Sequence, residues 1–148
     1  LLSFLPSFHQ ANPEFYQGDK SVGWVSGSVM LISKTVIDKT GGFDPQIFMY
    51  AEDTDLCWRA QKEGFAIGWT DSAEIIHLGG ASSVDPTFSQ WLGEFKGLVY
   101  LYKKYYGALA SFGLQWLIRI FILIRVLAFL ILGKGRIAQT YGKILLAF

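Results

Sequence analysis

The stretch FMYAEDTDLCWRAQKEG, residues 48–64, decides how the rest of the chain is interpreted. Its acids come first, Arg and Lys follow, and a glycine ends it, which is the charge order that suits the dipole of an α-helix. The apolar residues that recur at helical spacing, and so predict its buried face, are Leu56, Cys57, Ala60 and Phe65. We predict an amphipathic helix of about three turns that begins near Ala51 or Glu52 and stops at Gly64.

Two aspartates in this helix, Asp53 and Asp55, have the Asp-x-Asp spacing that often holds a divalent cation against a nucleotide diphosphate. On a helix their side chains point about 200° apart, so they cannot share one cation. An acid in the first turn gains about 0.3–1 kcal/mol from the dipole, and Asp55 can pair with Arg59 four residues later. The sequence therefore argues against a joint metal site and favours Asp55 as a brace of its own helix.

The residues before the acids indicate a function for Asp53. The segment GGFDPQIFMY, residues 41–50, places two glycines, a turn and four apolar residues directly before the helix. Such a segment can bring a carboxylate to the mouth of a cleft at a helix N-terminus, where the carboxylate stays ionised. An ionised and oriented carboxylate is what a general base requires.

Apolar runs and turn residues predict the other elements. Short runs rich in β-branched residues predict three strands: residues 22–34, bent at Gly27, residues 65–70 and residues 73–78. Helical spacing predicts two further helices: residues 34–44, stopped by Gly41 and Gly42, and a stretch from Pro86 to about Tyr106. The first 20 residues, with two prolines and a glycine among polar residues, predict a loop.

The last third of the chain is the most apolar. Residues 114–132 form an apolar run of about 19 residues, close to the length that crosses a bilayer, interrupted by Gln115, Arg119 and Arg125. One arginine at mid-membrane costs about 2.5–3.5 kcal/mol, which the many Leu, Ile and Phe residues offset with little margin. Three interpretations stay open: an in-plane interfacial helix with snorkelling arginines, a spanning helix, and a buried or partner-docking helix. The basic residues in 133–143 favour an anionic membrane surface nearby.

Composition excludes some classes of function. The chain has 148 residues, of which 51% are hydrophobic and 16% aromatic, too apolar for a disordered protein. A net charge of +1 provides no general field for nucleic acid, so we expect no nucleic-acid partner. The single cysteine rules out both an internal disulfide and a metal-binding cysteine pair.

Several motifs occur in a fixed order within residues 22–83. They are a glycine after a strand, Gly-Gly-Phe-Asp, an aromatic pair before Glu-Asp-x-Asp-Leu-x-x-Arg, a glycine that ends that helix, and His-x-Gly-Gly-x-Ser. In this order they resemble the acceptor-side half of family-2 glycosyltransferases, within these the rhamnosyltransferase-like group. The resemblance implies an α/β fold, the C-terminal part of a GT-A (nucleotide-diphospho-sugar transferase) fold, followed by apolar membrane-associated helices. It also implies inverting transfer from a nucleotide-sugar donor and a divalent cation, Mg²⁺ or Mn²⁺, on the donor diphosphate.

The resemblance assigns roles to individual residues. Asp53 falls on the general base, Glu52 on a residue that contacts or orients the acceptor, and His77 on a ligand of the cation. The candidate substrate-binding residues are Trp24, Ser26, Gly27, Asp55 and Arg59. Alternatives stay open: His77 as an ordinary hydrogen-bonded histidine, Trp24 as a core residue rather than a sugar platform, and Gly27 as a simple bulge.

The resemblance also predicts a division of the chain. Residues 1–107 are expected to be the acceptor-side half of a catalytic domain, and residues 108–148 a basic and apolar membrane-associated helical tail. Because the chain starts with Leu1 and the family's nucleotide-binding half has no counterpart here, we expect a C-terminal fragment. The expected function is transfer of a sugar, with rhamnose as the candidate, to a cell-envelope or lipid-linked glycan at the cytoplasmic face of the membrane. The alternative is a non-catalytic membrane-associated module of the same fold that binds glycans or a partner.

Overall fold

The computed structural model describes residues 13–47, 49–77 and 86–148. Its elements in chain order are a 3₁₀ helix (Pro13–Tyr16), β1 (Lys20–Val22), α1 (Lys34–Thr40), α2 (Glu52–Lys62), β2 (Ile67–Trp69), α3 (Pro86–Tyr106), α4 (Ala108–Ile131) and α5 (Gly135–Ala147). The two strands pair antiparallel, with Ser21 opposite Gly68. The described part of the chain is therefore mainly helical, with a small sheet, rather than evenly α/β.

The helices begin and end where local sequence signals place them. Ser33 caps α1 by accepting from the Val36 N–H, and Gly41 ends that helix at a φ of 78°. Gly64, at a φ of 84°, follows the end of α2. The predicted helix from Pro86 to Tyr106 is confirmed as α3.

The predicted buried face of α2 is also confirmed. Leu56, Cys57 and Ala60 are each 2–3% exposed, and Phe65 is half-buried. The Cys57 thiol lies 4.0 Å from the Val25 carbonyl oxygen, so the segment after β1 packs on this face.

Two of the three predicted strands are wrong in extent or type. Residues 65–70 contain β2, but residues 22–34 do not form a bent strand, because β1 ends at Val22. Residues 73–77 are not in a strand, and Leu78 lies outside the described residues. The physical reason is the lack of a partner, since a strand needs a hydrogen-bonded neighbour and, among the described residues, only β1 and β2 pair.

Helices α3, α4 and α5 pack into a bundle with its own apolar core. The buried core residues are Phe95, Ile118, Ile122, Tyr141 and Ile144. The two arginines of α4 point into this bundle rather than away from it. Arg119 donates to the Phe148 carbonyl oxygen at 3.1 Å, and Arg125 donates to the Tyr141 hydroxyl and lies over its ring.

The opposite face of α4 is an apolar surface. Its side chains that are more than half exposed include Leu109, Leu117, Ile120, Ile124, Leu127 and Leu130. Within the described residues, α4 is the one helix long and apolar enough to cross a membrane by length and composition. The interpretation of α4 as a buried core helix is therefore wrong, because only its inner side is covered; the partner-docking helix, the in-plane helix and the spanning helix stay open.

Candidate active site

Asp53 stands at the start of α2 with its carboxylate held by nearby donors. Its Oδ2 accepts from the backbone N–H of Gly27 at 2.9 Å. Its Oδ1 accepts from the backbone N–H of Thr54 at 2.7 Å and from the Thr54 hydroxyl at 3.3 Å. The side chain is half-buried, so the carboxylate is both oriented by the protein and open on one side.

The Gly27 turn covers the two acids closely. Ser26 and Ser28 close this turn through a 2.9 Å contact between their hydroxyls. A Cβ on Gly27 would lie 3.5 Å from Asp53 Cβ and 3.9 Å from Glu52 Oε1, in ordinary van der Waals contact. A side chain as small as that of alanine would therefore fit at position 27, so close backbone approach stays a prediction for this glycine.

Glu52 differs from Asp53 in its surroundings. Its Oε2 is buried and accepts no hydrogen bond from the described residues. Burial, followed by the negative charge of Asp53, raises the pKa of Glu52. The two neighbouring acids therefore lie in different environments. The Asp53 carboxylate accepts hydrogen bonds from backbone N–H groups. The Glu52 carboxylate has one oxygen without a partner among the described residues, and its raised pKa favours the protonated form.

Asp55 points to the other side of α2 and is fully buried. Its Oδ2 accepts from Arg59 Nε at 2.8 Å, and its Oδ1 accepts from Lys104 Nζ at 2.8 Å and the Tyr105 hydroxyl at 2.6 Å. Burial alone would raise the pKa of Asp55, but these donors together hold it below its ordinary value. The predicted pair with Arg59 is confirmed, and the two aspartates do not face one cation.

Lys104 extends this arrangement to a second acid. Its Nζ lies 2.7 Å from Asp44 Oδ2, which also accepts from the Tyr100 hydroxyl at 2.9 Å. The bond from Lys104, followed by that from the Gln46 N–H, lowers the pKa of Asp44 to about 2. We call Asp44, Asp55, Arg59 and Lys104 the charge clamp, because together they tie α2 and the loop before it to α3.

A cavity of about 410 Å³ opens between α3 and the loop that leads into α2. Its lining includes Ile47, Met49, Tyr50 and Leu92, with Lys96 and Tyr100 among its polar members. The cavity borders the turn that carries α2 and does not include the Asp53 carboxylate.

The other candidate residues lie apart from the two acids. Trp24 is 41% exposed, so it is not a core residue. His77 is exposed, at the last described position before residues 78–85, and no described contact joins it to Glu52 or Asp53. Within residues 13–47, 49–77 and 86–148, no three His, Cys, Asp or Glu side chains are grouped closely enough to hold a metal ion. The described residues thus do not form a cation site by themselves.

Sequence reasoning did not single out the residues of α3 that hold the site. Lys104 lies 49 residues from its partner Asp55, and no local pattern links them. Gly93 and Gly97 pack against the turn before α2. Two glycines four residues apart inside a helix are a detectable signal, because each is unfavourable there and so indicates close packing.

Comparison with known proteins identifies the family. The sequence model of the family described as "Glycosyl transferase family group 2" matches residues 13–142, which is most of the chain. The predicted resemblance to family-2 glycosyltransferases is therefore confirmed.

Individual relatives match over a shorter segment. The chain is 42% identical over 59 residues to N-acetylglucosaminyl-diphospho-decaprenol L-rhamnosyltransferase of Mycobacterium tuberculosis, covering 40% of this chain and 19% of that protein. It is 36% identical over 64 residues to Rhamnosyltransferase WbbL of Escherichia coli, covering 43% and 24%. It is 36% identical over 58 residues to Low-salt glycan biosynthesis hexosyltransferase Agl10 of Haloferax volcanii, covering 39% and 19%. The matched segments thus span about a fifth of these relatives.

No solved structure matches the chain at a significant level. The family match rests instead on sequence over residues 13–142, and the acids of α2, the Gly27 turn and the charge clamp all lie within it. This chain belongs to glycosyl transferase family group 2.

Proposed function

We propose that the full-length protein transfers a sugar from a nucleotide-activated donor to a hydroxyl of a glycan or lipid-linked acceptor, on a GT-A fold. The observation that carries this proposal is the Asp53 carboxylate, which the Gly27 and Thr54 N–H groups orient at the N-terminus of α2. Residues 1–107 contribute the acceptor side of the catalytic domain, and residues 108–148 the membrane-associated tail.

The chemistry follows from the two acids. Asp53 takes the proton from the acceptor hydroxyl while that oxygen forms a bond to the anomeric carbon and the nucleotide diphosphate leaves with the bonding electrons. Attack opposite the leaving group inverts the configuration at that carbon. Glu52, with its buried free oxygen and raised pKa, orients the acceptor by a hydrogen bond.

Rhamnose is the proposed sugar, because two of the relatives are named rhamnosyltransferases and the third a hexosyltransferase. Of the candidate contacts, Trp24 is proposed as a stacking platform for a sugar, since its ring is partly exposed. Ser26 and Gly27 shape the turn over the acids. Asp55 and Arg59 act indirectly through the charge clamp, because both Asp55 oxygens are already occupied.

A divalent cation on the donor diphosphate, with His77 as one ligand, stays a proposal for the full-length protein. The cation would stabilise the charge of the leaving diphosphate, whereas Asp53 acts on the proton of the acceptor hydroxyl.

The first test is Asp53→Asn in the full-length protein. Transfer from a nucleoside-diphosphate-rhamnose donor to N-acetylglucosaminyl-diphospho-decaprenol should fall about 10²–10⁴-fold, because the amide cannot accept the proton. Donor affinity, measured by calorimetry, should stay unchanged. Asp38→Asn is the matched control, since Asp38 lies on α1 in an exposed pair with Lys34.

The result also separates the two classes of function. Near-normal transfer by Asp53→Asn would exclude this residue as the base. Absence of transfer in the unsubstituted protein with several donors, together with retained glycan binding, would favour the non-catalytic binding module instead.

We further propose that the outer face of α4 contacts the lipid of the membrane, at its cytoplasmic face, either in its plane or across it. The supporting observation is that α4 has two different faces. On the inner face, Arg119 and Arg125 donate hydrogen bonds within the bundle, whereas the exposed face is apolar. Such a division removes most of the cost of placing these arginines near lipid. Exposed Lys134, Arg136 and Lys143 suit an anionic surface.

Sedimentation with phosphatidylglycerol-containing vesicles tests this contact. Leu117→Glu together with Ile124→Glu, at 65% and 60% exposed positions, should greatly reduce the vesicle-bound fraction. Gln61→Glu, at an exposed position of α2 outside the bundle, adds the same type of charge and serves as the control. Unchanged binding of the double variant would refute the lipid contact, and extraction at alkaline pH distinguishes an in-plane helix, which is released, from a spanning one, which is retained.

A further inference from the structure

The turn that leads into α2 has an unusual backbone. Tyr50 and Ala51 have φ angles of 66° and 75°, in the left-handed region that residues with a side chain rarely adopt. Ala51 is the N-cap of α2, has no side-chain cap, and its carbonyl accepts from the Asp55 N–H at 2.9 Å. Because Asp53 follows two residues later, the path of this turn determines where its carboxylate lies.

One helix face of α3 holds this turn. Gly93 and Gly97 face it so closely that a Cβ on Gly93 would overlap the Tyr50 ring. A Cβ on Gly97 would lie 2.6 Å from the Tyr50 carbonyl oxygen and 2.9 Å from Ala51 Cβ. These distances are shorter than van der Waals contact allows, so a Cβ on Gly97 must displace the backbone of the turn, and a Cβ on Gly93 must displace the Tyr50 ring.

The same face of α3 continues into the charge clamp. From Gly97, Tyr100 and Lys104 follow at intervals of three and four residues, which places all of them on one side of the helix. Tyr100 and Lys104 bind Asp44, and Lys104 also binds the buried Asp55. The face therefore contacts the chain on both sides of the left-handed turn, sterically at the glycines and ionically at the lysine.

The other face of α3 is fixed in the helical bundle. Phe95 is buried there, and Trp91 packs at an angle against both Phe95 and Tyr141. Because α3 is held on this second side, a bulkier residue at the glycines cannot simply push the helix away. The displacement must then fall on the turn that carries α2.

We propose that Gly93 and Gly97 are positioning residues for Asp53: they form a seat for the left-handed Tyr50–Ala51 turn and thereby set the position of the base. This inference rests on the proposed function of Asp53 and identifies what places that carboxylate.

The two glycines should differ in severity for a structural reason. The obstacle above Gly97 is backbone, which cannot move without α2, whereas the obstacle above Gly93 is a side-chain ring that borders the 410 Å³ cavity and can turn into it. Gly97→Ala should therefore lower kcat by about 10²-fold, the scale expected for a misplacement of about 1 Å. Gly93→Ala should lower kcat by a smaller factor, and donor KM and donor affinity should change little in either variant.

A double variant tests the contact itself. Tyr50→Ala removes the ring that a Cβ on Gly93 would overlap, so adding Tyr50→Ala to Gly93→Ala should restore kcat to the level of Tyr50→Ala alone. The same addition should not rescue Gly97→Ala, whose obstacle is backbone. Gly142→Ala on α5 is the matched control, because a Cβ there meets nothing within 4 Å.

All variants are assayed in the full-length protein, below the unfolding temperature of each, with the rhamnose donor and decaprenol acceptor described above. If Gly97→Ala fails to fold, Gly93→Ala and Gly93→Ala with Tyr50→Ala still test the positioning role.

Three results would each overturn the proposal. They are an unchanged kcat in Gly93→Ala, an equal loss of kcat with and without Tyr50→Ala, and a parallel loss of kcat and donor affinity. If Asp53→Asn retains transfer, the assignment of Asp53 as the base is wrong. If Asp53→Asn is inactive while both glycine variants have normal kcat, Asp53 can still be the base, and only the positioning role of Gly93 and Gly97 is wrong.

Discussion

The region around α2 and the α3–α5 bundle are held together by different forces. Around α2, the fully buried side chain is an aspartate, and its partners are charged or hydroxyl groups from α2 and α3. In the bundle, the fully buried side chains are Ile122 and Ile144, and the arginines are covered by aromatic rings. Hydrogen bonds and ion pairs depend on direction, so they fix the position of a side chain. Apolar packing is not directional and contributes mainly stability.

This difference fits the two roles proposed for these regions. A base must lie within hydrogen-bond reach of one hydroxyl, so its support has to be specific. A surface that meets lipid has to be apolar and broad but needs no single geometry. α3 belongs to both regions, since its glycine face packs against the turn before α2 and its aromatic face lies in the bundle.

The largest effect on stability is expected from Asp55→Ala. It leaves the Lys104 ammonium and the Arg59 guanidinium without their shared buried partner, which typically costs about 3–5 kcal/mol. Urea unfolding of the full-length protein measures the free energy of unfolding. Asp38→Ala removes an exposed pair worth about 0–1 kcal/mol and is the control. Equal losses in the two variants would show that the charge clamp does not hold the α2 region.

The next effect tests the bundle. Ile122→Ala creates a cavity at a 0% exposed position and should lower the free energy of unfolding by about 2–5 kcal/mol. Ile124→Ala, two residues away on the outward face and 60% exposed, should change it by about 0.5 kcal/mol or less in the same buffer. A similar loss at both positions would mean that the outward face is covered in solution.

The smallest effect is a difference in acid sensitivity. The folded pKa of Asp44, about 2, is below its ordinary value of 3.8, so unfolding takes up protons as the pH falls from about 4 to about 2. The stability from this group is complete above that interval and is lost within it. Asp44→Asn should therefore make the free energy of unfolding fall less steeply over the same interval. An unchanged slope would mean that Asp44 is equally acidic in the unfolded chain.

Local features were predictable from the sequence, and long-range ones were not. The stop of α1 at Gly41 and the acids of α2 act within one helix turn, so their pattern is readable without a structure. The strand in residues 22–34 was mispredicted because strand propensity describes a surface that packs against a neighbour. Among the described residues, Leu31 is fully exposed and Trp24 is 41% exposed.

The candidate site was predictable in part for the same reason. Asp53 and Glu52 follow from their motif, whereas the bond from Gly27 spans 26 residues and the contact of Lys104 with Asp44 spans 60. Such distances depend on the packing of whole helices, which a single sequence does not encode in any local pattern.

The buried thiol of Cys57 provides a chemical measure of how often the packing around α2 opens. Cys57 is the one cysteine in these 148 residues, is 3% exposed, and burial raises its pKa. The residues around it include Val25, Val36 and Ile67, so an alkylating reagent reaches the thiol when the segments that carry them separate from α2. The rate of alkylation therefore reports how often this packing opens, and a ligand that holds it closed should slow alkylation in proportion to its occupancy.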